Sequence, residues 1–312
     1  MAKTSLLNRI VPASPFALGV VRFFVHGVFL FDTVFQSYSA LGSLPPTLLR
    51  PTGVMKFLPW SFYDALQTHG GMLTLKTLML VSLVLSTAGF LTTFSSKTSL
   101  LLVAFYQGLL RSFGHFNHDE MIAIYFLVVL AFTPCGDAFS IDALLGRTKK
   151  DRPAFAYAYP ILLMQLLLAW AYFSSALIKL RVAGWKYLSP DNLPALAIFH
   201  SLDNLHDTAF RGAFWLPHVR EYLPYLVGLV LIWELLFPLA IVFRRLRWLI
   251  LGVGIVFHFS TMFLMNIFFP HQLMMYVVFI NWESIAGLLA TFNSYRISYM
   301  SGRQRPTTSA IS

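Results

Sequence analysis

The stretch LLVAFYQGLLRSFGHFNHDEMIAIYFLVVLAF, residues 101–132, contains two apolar runs separated by the short polar segment GHFNHDE, residues 114–120. A helix that crosses a membrane needs about 20 mostly apolar residues. Because both runs are shorter than this, we expect a pair of short, tilted or partly re-entrant membrane helices on either side of the polar segment. Polar groups in such a place need water, a partner or a function, so residues 114–120 are also a candidate site.

The composition of the whole chain is that of a membrane protein. Of its 312 residues, 57% are hydrophobic and only 12% are charged, and the mean hydropathy is +0.67. Soluble domains are about half apolar and about one quarter charged. The formal net charge of +10 does not indicate a nucleic-acid partner, because the basic residues lie in short loops between apolar runs rather than on one face.

Apolar runs of helical length recur along the chain. They predict an all-α integral membrane protein, a helical bundle of about eight transmembrane helices with a range of about seven to nine. We expect a single membrane domain over residues 1–312, with the transmembrane core at about 15–292 and short polar tails. The predicted spans are roughly 17–40, 72–93, 98–113, 119–135, 159–180, 222–243, 247–266 and 273–292.

Lysine and arginine residues are unevenly distributed between alternate loops. With the N-terminus inside, thirteen of the 23 fall in inside segments and seven in outside segments. Because cytoplasmic loops are enriched in Lys and Arg, both termini are predicted to be cytoplasmic. The expected location is the plasma (inner) membrane, in which the lipid bilayer surrounds a multi-pass protein.

Three ionisable residues lie within the first apolar run, in RFFVHGVFLFD, residues 22–32. Arg22 and His26 are four residues apart and share a helix face, and Asp32 lies about 80° around the helix from Arg22. Charged groups at bilayer depth are costly and often functional. Two interpretations remain open: a buried polar network of Arg22, His26 and Asp32, or an Arg22 near the interface with Asp32 bonded to a neighbouring helix.

Two further ionisable residues fall near the middle of predicted spans. Glu234 in LIWELLFPLA must be protonated, paired with a cation or beside water. His258 in GIVFHFSTM is either part of the same polar network or a hydrogen-bonded histidine of the core.

The polar segment itself has a structural explanation for its acids. Asn117 or His118 stands at the predicted start of the fourth span, so Asp119 and Glu120 fall in the first helical turn, where the helix dipole favours anions. His115 and His118 are three residues apart, but no further His or Cys lies nearby to complete a metal site. No metal is therefore predicted, and the role of His118 stays open.

Lys179 follows a long apolar run in QLLLAWAYFSSALIKLRVAGW, residues 165–185. A lysine at a helix end commonly extends to the lipid headgroups. Arg181 already occupies that interfacial position, however. The small residues Ser174 and Ser175 just before Lys179 permit close packing of another helix or a ligand. An interfacial lysine and an inward-pointing lysine are both compatible with the pattern.

The order and spacing of several motifs resemble vitamin K-dependent gamma-carboxylases. The segments that carry the likeness are RFFVHGVFLFD (22–32), FNHDEMIAIYFLVVLAFTPCGDAFSIDALL (116–145), YFSSALIKLRVAGW (172–185) and FRRLRWLILGVGIVFHFSTMFLMNIFFPHQLMMYVVF (243–279). The wider superfamily is the horizontally transferred transmembrane (HTTM) domain. The resemblance covers about residues 15–292, and the carboxylases are longer, so it is a likeness to their membrane part.

The resemblance implies roles for particular residues. Lys179, in the segment that begins with Tyr172, matches the base that deprotonates vitamin K hydroquinone, and His118, after Asn117, matches a histidine that supports this chemistry. It implies a reduced, lipid-soluble quinone as cofactor, with O2 and CO2 as co-substrates and a protein or peptide as a further candidate substrate. An amine must be neutral to act as a base, and desolvation favours the neutral form.

Two functions from different classes follow. The first is a membrane-embedded, quinol-dependent oxygenase or carboxylase-like enzyme that uses Lys179 and His118. The second is a non-catalytic module that binds a quinone or lipid and assists maturation or export of a partner protein. A transporter is less favoured, because the sequence has no inverted repeat and no pair of broken helices.

Overall fold

The computed structural model describes residues 14–114, 119–149, 151–203 and 212–288. Within these ranges the chain is helical and has no β-strand. The α-helices are α1 (Pro15–Phe35), α2 (Tyr38–Gly42), α3 (Trp60–Leu66), α4 (His69–Ala88), α5 (Thr92–Ser112), α6 (Asp119–Ala131), α7 (Ile141–Leu144), α8 (Phe155–Ala183), α9 (Asn192–Asp203), α10 (Leu223–Leu236), α11 (Leu239–Val242), α12 (Arg244–Met265) and α13 (Pro270–Met274). Short 3-10 helices cover Pro46–Leu48, Gly53–Phe57, Gly184–Leu188, Gly212–Tyr222 and Met275–Phe279.

The ends of the long helices follow from local sequence. The hydroxyl of Ser14 accepts a hydrogen bond from the Ala17 N–H group at 3.1 Å and so caps α1. The hydroxyl of Thr68 does the same for α4, accepting from the Gly71 N–H group at 3.0 Å. At its C-terminus α4 ends in Gly89, whose φ of 71° is left-handed and therefore suits a residue without a Cβ.

The predicted class, an all-α membrane protein, is confirmed. Among the described residues, four helical segments are long and apolar enough to cross a membrane: Pro15–Phe35, His69–Ala88, Phe155–Leu188 and Arg244–Met265. Helices α5, α6 and α10 occupy the predicted spans at 98–113, 119–135 and 222–243, but α6 and α10 are shorter than 18 residues.

The last predicted span, 273–292, was wrong as a continuous helix. Helix α13 gives way to the 3-10 turn Met275–Phe279, and helix resumes only at residue 282. Residues 275–279 are all buried. Their carbonyl groups are bonded by side chains from elsewhere: Gln165 Nε2 donates to Val278 at 2.7 Å, and Trp282 Nε1 donates to Val277 at 3.0 Å. Irregular backbone is tolerated at membrane depth where protein covers it and satisfies its polar groups.

One end of the bundle, here called the basic end, gathers the start of α1, the turn between α4 and α5 and the connection between α6 and α8. The Phe16 ring packs edge-on against Phe139, with centroids 5.6 Å apart. Asp142 accepts hydrogen bonds from the N–H groups of Leu91 and Thr92 at 3.0 and 2.7 Å. These segments, which the charge distribution predicted to be cytoplasmic, therefore meet at one end of the molecule.

Candidate functional site

Lys179 and Glu234 form an ion pair between α8 and α10. The Lys179 Nζ atom lies 2.6 Å from Oε1 and 2.8 Å from Oε2 of Glu234, so both carboxylate oxygens accept hydrogen bonds from one ammonium. The hydroxyl of Ser175 donates to Oε1 at 3.2 Å. Of the three states expected for Glu234 (protonated, paired or beside water), the structure has the paired one.

The two partners differ in exposure. The Glu234 side chain is 3% exposed, whereas that of Lys179 is 25% exposed. Around Lys179 the surface of α8 is apolar, with Ile178 and Val182 both exposed. The ring of Tyr187 lies 5.9 Å from Nζ and covers the ammonium on another side. The pair therefore has a buried acid and a base that reaches the edge of the bundle among apolar residues.

A hydrogen-bonded chain of aromatic residues is centred on Tyr172, about two helical turns before Lys179 on α8. The Tyr172 hydroxyl is 2.7 Å from Nε2 of His258 and 2.9 Å from the hydroxyl of Tyr276. The Tyr172 ring stacks on Phe237, with centroids 4.2 Å apart, and meets Trp233 edge-on at 4.9 Å. His258 is thus a hydrogen-bonded histidine of the core and also a member of a polar network. Both interpretations that the sequence left open for this residue therefore apply.

The network and the ion pair are adjacent because of helical spacing. Tyr172, Ser175 and Lys179 are separated by three and four residues, so they lie on one face of α8. This face packs against α10, which carries Glu234. Tyr172 and Glu234 are also close enough to interact electrostatically. The structure therefore brings four of the predicted site residues together: Lys179, Tyr172, Glu234 and His258.

Gly254 makes room for this network on α12. A Cβ atom at this position would overlap the hydroxyl of Tyr276 and the indole of Trp233. Close approach of a bulky side chain to a helix backbone is a common reason for glycine in membrane helices. Gly254 therefore positions Tyr276 for its bond to Tyr172.

Arg22 and His26 lie elsewhere, near the basic end. Arg22 is fully buried, and its Nη2 atom donates to the carbonyl of Phe139 at 2.5 Å and to that of Thr87 at 3.4 Å. His26 is also fully buried, and its Nδ1 atom lies 3.1 Å from the Arg22 carbonyl. The turn after α4 and the loop before α7 cover Arg22 at this end of the bundle.

Asp32 is separate from both groups. Its Oδ2 atom lies 2.6 Å from Nε2 of His271 on α13, as expected for an acid bonded to a neighbouring helix. His271 is buried and packs against Phe29, with ring centroids 5.2 Å apart. Arg22, His26 and Asp32 therefore do not form one network, although they share α1.

Asn117 and His118 lie outside the described residues, so their predicted role stays a prediction. Glu120, two positions after His118, is buried and accepts a hydrogen bond from the side chain of Gln107 on α5. This bond joins α5 to α6 close to the polar segment. The acid therefore has a side-chain partner on α5, which the sequence analysis did not predict.

Sequence reasoning missed Tyr276 and His271 as partners of predicted residues. Both lie in PHQLMMYVVF, residues 270–279, within a run that was assigned to a plain membrane helix. The signal that could have found them is Pro270 followed at once by His271, because a proline and an ionisable residue together suggest a broken segment.

The chain was compared with protein-family models. The model of the HTTM domain matches residues 10–283. The chain belongs to the HTTM domain family. This confirms the suspected superfamily and indicates a membrane domain related to the vitamin K-dependent carboxylases. Comparisons of this HTTM protein with curated proteins and with solved structures gave no match.

Proposed function

We propose that this HTTM protein is a membrane-embedded enzyme that deprotonates a lipid-soluble hydroquinone, with Lys179 as the base. The observation that carries the proposal is the position of Lys179 Nζ, held by both oxygens of the buried Glu234 at the apolar edge of the bundle. The family relationship supports it, since the same lysine matches the base implied by the likeness to the carboxylases.

The pair offers a way to a neutral amine. A proton moved along the 2.6 Å contact from Nζ to Oε1 leaves an amine beside a carboxylic acid. Neither charge then has to be kept in a region of low dielectric constant, where ion pairs are costly. The amine takes the phenolic proton of the hydroquinone, which leaves as its anion, and Nζ becomes an ammonium again. The buried acid is thus the group that lets Lys179 change its charge.

The surroundings suit a substrate that arrives from the bilayer. The exposed apolar residues Ile178 and Val182 flank Lys179 on α8, and Tyr187 offers a ring beside the ammonium. An aromatic, lipid-soluble ring can stack on such a surface. The family likeness adds O2 as the oxidant of the hydroquinone anion, and CO2 with a protein or peptide acceptor if the reaction is a carboxylation. His118 and Asn117, which lie outside the described residues, keep the supporting role that the family likeness implies.

The test is oxygen uptake by the purified protein in lipid nanodiscs after addition of a reduced naphthoquinone, corrected with protein-free nanodiscs. Arginine stays protonated at physiological pH, so Lys179→Arg keeps the cation but not the base. We expect the variant to insert normally and to lose about 10²–10⁴-fold of the rate. Lys76→Arg is the matched control, because the Lys76 ammonium likewise donates two hydrogen bonds, but to the backbone carbonyls of Val34 and Gln36 and not to an acid. Wild-type turnover in Lys179→Arg would rule out this lysine as the base.

A second candidate function rests on the same contacts. Both oxygens of Glu234 are engaged with one ammonium, which is also the arrangement of a structural ion pair. In that case the protein is a quinone- or lipid-binding module that assists a partner protein. Absence of quinol-dependent uptake in the wild type, together with equal naphthoquinone binding by the wild type and Lys179→Arg, would favour this alternative.

A further inference from the structure

A half-open cleft lies at the basic end, far from Lys179. It has a volume of about 440 Å³, within the range of roughly 300–1,000 Å³ that is typical of ligand sites. Its walls are the start of α5, the residues after α6 and the loop that follows α7. Arg152 lines this cleft and lies just before the start of α8, whereas Lys179 lies near the end of that helix. Because an α-helix rises by about 1.5 Å per residue, nearly the whole length of α8 separates the two residues. This basic cleft is therefore distinct from the Lys179 site.

The acidic residues of the basic cleft are already neutralised. Asp142 accepts hydrogen bonds from the Leu91 N–H group and from both the N–H and the hydroxyl of Thr92, and it interacts with the buried guanidinium of Arg22. Asp137 pairs with Arg152 at 2.7 Å and accepts a hydrogen bond from the Tyr157 hydroxyl at 2.9 Å. Asp142 also interacts with Arg147 at longer range, and among the described residues neither carboxylate forms an ion pair with Lys97 or Lys149.

Three cations remain. Lys97, Arg147 and Lys149 line the cleft, and within the described part of the chain none of them has a carboxylate within 4.0 Å. Aromatic rings hold two of them in place: Lys97 Nζ lies 5.6 Å from the centroid of Phe132, and Arg147 lies 5.7 Å from that of Phe90. Cations that converge on a cleft and outnumber its carboxylates attract an anion.

We infer that the basic cleft binds a phosphate group through Lys97, Arg147 and Lys149. Arg and Lys are the usual partners of phosphate oxygens, and Thr93 and Thr148 add hydroxyl groups to the lining. The wall formed by Leu130, Phe132 and Pro134 is apolar, which suits the glycerol part of a lipid headgroup beside the phosphate. The same phosphate chemistry could come from an anionic phospholipid or from a soluble phosphate ester.

The experiment measures binding by native mass spectrometry of the full chain in detergent, with phosphatidylglycerol and, separately, glycerol 3-phosphate as probes. Lys97→Gln/Lys149→Gln removes two cations from the cleft. Arg244→Gln/Arg245→Gln is the matched control, because it removes two cations from the start of α12, outside the cleft lining. We expect binding to fall about tenfold or more in the first variant and less than about twofold in the second.

A further variant separates charge from folding. Lys97→Arg/Lys149→Arg keeps both charges and should retain binding within about threefold of the wild type. Binding of phosphatidylglycerol but not of glycerol 3-phosphate identifies a lipid-headgroup site. Comparable binding of glycerol 3-phosphate identifies a site for a soluble phosphate ester. Either result supports phosphate binding in the basic cleft. Equal weakening by the two glutamine variants, or binding of neither probe to the wild type, would overturn the inference.

Discussion

Lys179 Nζ lies 2.6 Å from Oε1 of Glu234, although the two residues are 55 positions apart in the chain. The contact joins the C-terminal part of α8 to the last turn of α10. Because the acid is 3% exposed and the lysine 25% exposed, the acid depends on the pair more than the lysine does.

This asymmetry predicts unequal effects of single substitutions. Lys179→Gln leaves a buried carboxylate without its cation and with only neutral donors such as the Ser175 hydroxyl, so we expect a loss of up to about 3 kcal/mol of unfolding free energy. Glu234→Gln should cost less, because the amine can still reach water. The double variant should be more stable than Lys179→Gln alone. Thermal unfolding of the wild type, the two single variants and the double variant in detergent gives a double-mutant cycle. Strictly additive effects in this cycle would show that the two residues do not interact.

The Tyr172 hydroxyl connects His258 to Tyr276, so its removal affects two buried partners. We expect Tyr172→Phe to lower the unfolding free energy by about 1–3 kcal/mol. Tyr159→Phe, on an exposed part of the same helix, is the control and should have little effect. Similar melting temperatures for the two variants would argue against the network.

Two glycines of α12 form a matched pair. A methyl group at Gly254 would overlap Tyr276 and Trp233, whereas nothing lies within 4 Å of a Cβ at Gly252. Gly254→Ala should therefore destabilise the protein by about 1–3 kcal/mol, and Gly252→Ala should be neutral or stabilising, as alanine is the better helix former. Yield and melting temperature after purification give the comparison. A destabilised Gly252→Ala would show that the packing of α12 differs from that described.

Asp142, in the connection between α6 and α8, gives the fold a pH dependence. Burial raises the pKa of its carboxyl group, but hydrogen bonds from Thr92 and Leu91 outweigh this and hold the pKa below its usual value. A lowered folded-state pKa contributes stability above the unfolded value of about 4, and this is lost as the pH falls through the folded value. The stability difference between wild type and Asp142→Asn should thus be greatest near neutral pH and shrink in acid.

The orientation of the protein is tested by fusions. Reporters placed at residues 150 and 245 should read cytoplasmic and one near 205 external, because cytoplasmic loops are the ones rich in Lys and Arg. A periplasmic or lumenal signal at 245 would contradict both cytoplasmic termini and would place the basic cleft on the other face of the membrane.

Hydropathy predicted the long helices because their apolar runs are continuous. Helices α1, α4, α8 and α12 lie where such runs were found. The break after α13 could not be predicted in this way, because MMYVVF is as apolar as a helix and its carbonyl groups are satisfied by Gln165 and Trp282. Local sequence does not contain that information.

The sequence identified several residues of the candidate site, but it did not show which of them contact each other. A buried acid such as Glu234 requires a partner on energetic grounds, so its importance was visible in the sequence. That the partner is Lys179, and not Arg22 or a water molecule, depends on which faces of α8 and α10 pack together. Tyr276 entered the network for the same reason, since only the fold brings it to Tyr172.

The covered 3-10 turn Met275–Phe279 has a consequence for how the chain is built during synthesis. Its Val278 carbonyl takes a hydrogen bond from Gln165 of α8, and that of Phe279 lies 3.4 Å from Nη1 of Arg247 on α12. Both donors emerge from the ribosome earlier than the turn. Residues 275–279 therefore cannot enter lipid as an independent span. These residues can take their place in the membrane only after α8 and α12 have assembled. The folding of the last part of the chain therefore depends on the helices that precede it.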